Sequence, residues 1–224
     1  MKKMILAAIP LMAVLALPKG AAAMQTITPG TDGISAIAGG VLEFGIDNML
    51  LVRYDSTGDD QNGVAILQAT YVGGITPRFV LADNFSLAAN LQIFYGKLGT
   101  TTTAAGVESE VSSSNVGFLG ILMANYYVRL GYGMFFAPGV GAGGFYGVTS
   151  TPAGTGRSID GNLYGGAVKL DLGFVFYAGP HFNIKGGPDV LCRFGKAQPD
   201  EALDMNQDLF TIEAAFHLGL AYSI

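Results

Sequence analysis

Toward its end the chain alternates between apolar and polar residues. Phe210, Ile212, Ala214, Phe216, Leu218, Leu220, Tyr222 and Ile224 fall on one parity, and Thr211, Glu213, Ala215, His217, Gly219, Ala221 and Ser223 on the other. Successive strand residues point to opposite faces, so the pattern predicts a strand with an apolar environment on one side and a polar one on the other. The same test predicts eight segments, at 40–54, 64–80, 85–98, 115–130, 134–149, 161–177, 182–196 and 208–224. Their apolar faces include Leu42/Phe44/Ile46, Leu67/Tyr71/Phe79, Leu87/Leu91/Ile93, Phe118/Leu122/Tyr126 and Val168/Leu170/Leu172/Phe174/Phe176. The connections alternate too. Residues 81–84, 131–133 and 178–181 read as tight turns, whereas 55–63, 99–114, 150–160 and 197–207 read as longer polar loops.

Three prolines, Pro77, Pro138 and Pro188, fall inside predicted strands, and local bulges are expected there because each removes a ladder donor. Asn48 lands on the apolar parity. Glycine supplies 33 of the 224 residues, and Gly139, Gly141 and Gly144 spell the spacing of a dinucleotide-binding loop. That motif needs a helix opening on it, and the stretch that follows carries more glycine and a proline, which is poor helix material. The glycines on the inward parity of the fifth segment, Gly139, Gly141, Gly143 and Gly147, instead predict room in which long side chains from facing strands cross a narrow interior.

The beginning of the chain reads as export machinery. Lys2 and Lys3 precede the charge-free run Met4–Leu17, and Ala21, Ala22 and Ala23 offer a small-residue cleavage site, so residues 1–23 read as a cleaved secretory signal peptide. Residues 24–39 read as a periplasmic N-terminal segment and 40–224 as the barrel. The chain is half hydrophobic residues, yet its longest uncharged stretch, 130–156, is too rich in glycine and proline for a membrane helix. Lipid tolerates only helices and closed barrels, because every backbone polar group must be satisfied internally. The expected fold is therefore all-β: an eight-stranded antiparallel up-and-down transmembrane barrel with short periplasmic turns, longer extracellular loops and a bacterial outer-membrane location.

Taken together, these eight alternating segments and the apolar rhythm of the last strand resemble the small eight-stranded outer-membrane proteins, the group that includes outer membrane proteins A, X and W. The resemblance implies contact with outer-membrane lipid and lipopolysaccharide, and recognition of the last strand by the barrel-assembly machinery. Ile224 stands where that group usually has an aromatic residue. For proteins similar to outer membrane protein W it further implies a small hydrophobic molecule as ligand.

Charges within the segments fall on the inward parity: Glu43, Asp47, Asp171, Asp189 and Glu213 against Arg53, Arg78, Arg129, Lys169, Lys185 and Arg193, with His217 among them. An eight-stranded barrel is just wide enough for side chains to fill it, so these groups are expected to pair as a lumen network. Counted from the turn end, most lie in the lower or middle lumen. The upper inward positions, Met49, Leu51, Ile66, Phe94, Leu119, Ile121, Phe145, Leu163 and Leu191, are apolar. They form either a packed core or a chamber open to the outside that binds or passes a small hydrophobic molecule.

The outer loops carry Asp55, Asp59, Asp60, Glu108, Glu110, Asp160, Asp200, Glu201 and Asp204 against Arg157, and the whole chain has a net charge of −5, which argues against nucleic acid. Asp59, Asp60, Gln61 and Asn62 offer oxygen ligands without completing a calcium loop, and Cys192 with two histidines makes no metal-ligand spacing. No metal or other cofactor is expected. Neither His181, in a turn, nor His217, in the lower lumen, is placed to activate a nucleophile at the outer rim, so the reading is non-enzymatic. Three functions remain open: a ligand-binding barrel, a structural or adhesion-like barrel acting through its acidic loops, and a lipid A-modifying enzyme.

Overall fold

The computed structural model describes residues 39–56, 66–104, 107–131, 133–153, 157–179, 181–199 and 207–224; at 47–56, 66–73, 98–104, 107–112 and 151–153, and a few residues beside them, it describes the backbone alone. Nine strands form one sheet: β1 (Leu42–Ser56), β2 (Ile66–Ala82), β3 (Phe85–Ala104), β4 (Val107–Tyr126), β5 (Val128–Gly131), β6 (Met134–Ala153), β7 (Arg157–Tyr177), β8 (Phe182–Pro199) and β9 (Gln207–Ser223). Each pairs antiparallel with its neighbour in sequence, except that β4 passes to β6 directly, and β1 pairs with β9. The sheet therefore closes on itself. β4 and β5 act as one stave interrupted at Tyr127, which makes a barrel of eight staves. Where β1 meets β9, Ile224 donates its N–H to the Leu42 carbonyl at 2.8 Å.

The tight turns gather at one end. Asn84 takes a left-handed φ of 62° between β2 and β3, and Gly133 takes 69° before β6, a conformation in which glycine carries no Cβ penalty. At the other end the strands run further than their apolar alternation. β3 and β4 stay paired to Ala104↔Val107, and β6 and β7 to Ala153↔Arg157. The expected long loops at 99–114 and 150–160 are thus mostly ladder. Thr100–Thr103 are β-branched and polar, so strand propensity persists where the apolar/polar alternation ends.

The expected bulges at the prolines are not there. Pro77 sits opposite Phe44, Pro138 opposite Leu172 and Pro188 opposite Phe216, with the register unbroken across each. One missing N–H removes one ladder bond, and the bonds on either side hold the strands in place. The register shifts lie elsewhere, at Ile46/Leu50, Tyr71/Gly74, Val80/Ala82 and Arg129/Gly131. Asn48 falls inside the first of these; its side chain lies outside the described residues.

The outer face is a continuous apolar belt. Ile46, Ile75, Ile93, Leu122, Val140 and Phe216 are each at least half exposed, and Val168, Leu170, Leu172, Phe174 and Phe176 extend the belt along β7. Exposed Tyr95, Tyr146 and Tyr164 mark its upper edge. From Phe176 to Tyr164 a tilted strand climbs about 30 Å, close to the apolar height of an outer-membrane barrel. One row of the belt carries no side chains, because outward-facing Gly120, Gly144 and Gly166 pair in series across three staves.

Inside, the lumen is stacked in three layers. A floor beside the tight turns contains Val41, Val80, Tyr127, Phe135, Ala137, Val175 and Tyr177. Ionic groups fill the middle. Above them lies an apolar cluster that includes Phe94, Leu119, Ile121, Met123, Phe145, Leu163 and Leu191.

Candidate functional site

The ionic layer is built from alternate residues of five staves, β1, β2, β7, β8 and β9. Arg78 Nη1 donates to Glu43 Oε2 at 2.7 Å, Lys169 Nζ lies 2.6 Å from Asp189 Oδ2, and Lys185 Nζ donates to Asp171 Oδ2 at 2.5 Å. Arg193 pairs with Glu213, and its guanidinium lies 5.9 Å from the centre of the Phe94 ring. These eight residues are all less than a tenth exposed. Burial this complete is tolerable only because each charge faces an opposite one. His217 stands beside both aspartates, with Nδ1 3.4 Å from Asp189 Oδ2 and Nε2 3.9 Å from Asp171 Oδ1. The two aspartates sit directly opposite each other across β7 and β8, so the lysines and His217 also separate like charges.

Glu43 is the hub of the lower half. Besides Arg78 it accepts hydrogen bonds from Tyr177 Oη at 2.6 Å, Ser223 Oγ at 3.1 Å and Asn183 Nδ2 at 3.3 Å. One carboxylate thereby ties together side chains of β1, β2, β7, β8 and β9, and it does so at the seam where the ring closes. Beneath it the floor is aromatic. Tyr127 and Tyr177 each meet Phe135 edge to face, at 6.4 and 5.9 Å between ring centres, and Ser86 Oγ lies 3.1 Å from Tyr127 Oη.

Arg129, expected in the lower lumen, lies outside it. β4 ends at Tyr126, Tyr127 leaves the ladder to bury its ring in the floor, and β5 resumes below that floor with Arg129 exposed at the turn-side rim. Parity counts faces but not height, and the lumen has ended before this residue is reached. The picture of a charged floor is corrected likewise: the charges occupy the middle, above the aromatic layer. The side chains of Asp47 and Arg53 in the network, and of Met49, Leu51 and Ile66 in the chamber, lie outside the described residues. A set of neutral polar residues was missed. Asn90 Nδ2 donates to Thr76 Oγ1 at 2.9 Å, Gln92 Nε2 donates to Asn90 Oδ1, and Asn125 is buried nearby. All occupy the inward parity of their strands, which was the signal available.

The upper apolar residues come together. Phe94, Leu119, Ile121, Phe145, Leu163 and Leu191 are at most 6% exposed and belong to a single cluster, in which Phe94 and Phe145 meet at 6.5 Å and 73°. Glycines make this packing possible, though not by letting side chains cross from facing strands. A Cβ on Gly147 would come within 2.8 Å of the Val116 carbonyl and 3.3 Å of the Phe94 ring, and one on Gly165 within 2.9 Å of the Phe145 ring. A Cβ on Gly141 would run into Met123, and one on Gly139 into Asn125, both on the adjacent β4. The bare positions receive side chains from neighbouring strands. Among the described residues no cluster of His, Cys, Asp or Glu is placed to hold a metal ion.

No family model matches the chain, and no curated protein is significantly similar to it. Solved structures of similar shape include the outer membrane protein OprG of Pseudomonas aeruginosa, with 16% identity, 84% of this chain and 97% of that chain covered, and a TM-score of 0.47. The N-terminal β-barrel domain of OprF from the same organism gives 15% identity, coverage of 84% and 100%, and a TM-score of 0.42. Ail, the attachment invasion locus protein of Yersinia pestis, gives 12%, the same coverages and 0.42. At such scores the reading of the chain rests on the barrel's own geometry.

Proposed function

We propose that the chain is an integral outer-membrane barrel with a sealed lumen, working from its outer, hairpin-bearing end rather than by passing solutes. One observation carries this reading: three filled layers block the axis, and the middle one is a set of buried ion pairs. A permeating ion would have to displace partners that leave a buried charge uncompensated, and it would then meet a floor whose tyrosine hydroxyls are already engaged with Glu43 and Ser86, so little is left to replace its hydration. The apolar belt, about 30 Å tall, supports insertion in a bilayer, and the β3–β4 and β6–β7 ladders that pass beyond it supply the surface. The reading is also non-catalytic. His217 is engaged with two aspartates in the lumen, and His181 stacks on Tyr222 at the turn end, 5.7 Å between ring centres.

The wholly apolar composition of the upper cluster favours a second reading, in which a small hydrophobic molecule enters by displacing Phe94 and Leu163. Two measurements on the purified barrel separate the readings. Planar-bilayer recording should show no steady conductance above the bare membrane; an ohmic current would sink the sealed lumen. Native mass spectrometry after gentle extraction should give the apo mass, whereas a discrete extra mass that disappears in Leu119→Arg would move the function to the upper cluster.

A further inference from the structure

At mid-height in the lumen lies a cavity of about 10 Å³, lined by Thr76, Asn90, Asn125, Lys169, Asp171 and His217 among others. Asn125 is 2% exposed, and neither of its amide atoms has a hydrogen-bond partner among the described residues; the same holds for Asp171 Oδ1. The amide is aimed inward by construction. Asn125 pairs with Gly139 on β6, and a Cβ at Gly139 would lie 2.9 Å from Asn125 Cγ, so the side chain occupies space that only glycine leaves free.

We propose that this cavity is a hydration site, binding one water molecule between Asn125 and the ionic residues opposite. The size fits, because a space of roughly 10–15 Å³ open to a water-sized sphere holds one water. The chemistry is more selective. An occupant must donate, to satisfy Asn125 Oδ1 and Asp171 Oδ1, and must also accept, to satisfy Asn125 Nδ2. An anion cannot donate, a metal cation cannot accept, and an apolar atom does neither. Water does both, and it has the two to four polar partners that a buried water needs. The site also has a structural consequence. β6 presents bare glycine at this height, so no β6 side chain bridges the polar residues of β3 and β4 to the ions of β7 and β8, whereas on the opposite side Glu43 and Arg78 already join β2 to β7, β8 and β9. The bound water links the two groups into one layer. The glycine pair Gly139–Gly141, which imitates a nucleotide loop in the sequence, is what shapes this wall.

The sign of one substitution tests the proposal. In Asn125→Leu, similar in size, the water loses two contacts and Asp171 Oδ1 loses its donor, so the thermal midpoint should fall by about 3 °C or more. If the cavity is dry, the same change deletes an unsatisfied buried amide and the midpoint should rise. On the unaltered barrel in lipid nanodiscs, the Asn125 side-chain amide protons should show direct cross-relaxation with water. A raised midpoint in the variant, or a wild-type Asn125 amide with no water contact, overturns the proposal; the second readout stands even if the variant does not fold.

Discussion

Replacing Glu43 by glutamine keeps the shape of the side chain and removes its charge, at the point where five staves are tied together. Arg78, 3% exposed, would then keep its charge with no carboxylate at 2.7 Å. Breaking a buried ion pair from one side costs about 3–5 kcal/mol, because the remaining charge is left uncompensated. The bonds from Tyr177, Ser223 and Asn183 would also pass from a charged to a neutral acceptor, a change on the order of 1 kcal/mol each at most. A protein with about 5–15 kcal/mol of stability feels such a loss plainly. Removing both charges should restore most of it, since Glu43→Gln with Arg78→Met leaves no unpaired ion. The chain has no tryptophan, so unfolding in guanidinium is best followed by the far-ultraviolet circular dichroism of the strands, with the barrel in lipid vesicles. Glu43→Gln should lower the unfolding free energy by about 3 kcal/mol or more, and the double variant should recover at least about 2 kcal/mol of that. A single variant within about 0.5 kcal/mol of the parent, or a double variant whose loss is the sum of the two singles, would refute the hub.

Phe94→Ala should cost about 3–5 kcal/mol in the same assay, because the ring that fills the space over Gly117 and Gly147 leaves a cavity; a loss under 1 kcal/mol would show that the upper lumen collapses or was never packed. Val168→Arg, in the middle of the belt, should destabilise the inserted barrel by about 2–4 kcal/mol and barely affect it in detergent that lets the side chain reach water; equal losses in both would mean that this face does not meet lipid.

The staves were legible because a barrel wall between lipid and a polar lumen imposes a two-residue period with strong contrast, as in Phe210 to Ile224. The inward charges were legible for the same reason, and their pairing followed from the cost of a lone buried ion. What parity could not supply was height and volume. It placed Arg129 on the right face but below the end of the lumen. It did not single out Phe135 and Tyr177, which together with Tyr127 close the bottom. Thr76, Asn90, Gln92 and Asn125 were passed over because a neutral polar side chain stands out less than a charge. Whether Phe94 and Phe145 bound a chamber or fill one depends on glycines in the neighbouring strands, and that is a question of space rather than of period. The strand tips beyond the belt were read as loops because threonine, serine, glycine and acidic residues dominate them.

The row of glycines through Gly120, Gly144 and Gly166 bears on how the barrel comes apart. Gly143 precedes Gly144 on β6 and Gly165 precedes Gly166 on β7, so two adjacent staves carry no side chains of their own there, and β7 is covered by rings from its neighbours, Phe145 over Gly165 and Phe194 over Gly166. Glycine has the most conformational freedom to regain on release, and this patch is held by no side chains of its own, only by those its neighbours lay over it. In lipid, however, a broken ladder bond finds no water to replace it. The bilayer thus acts as the missing side chains: amide protons of this patch exchange slowly while the membrane is intact, and they become the first to exchange when detergent takes its place.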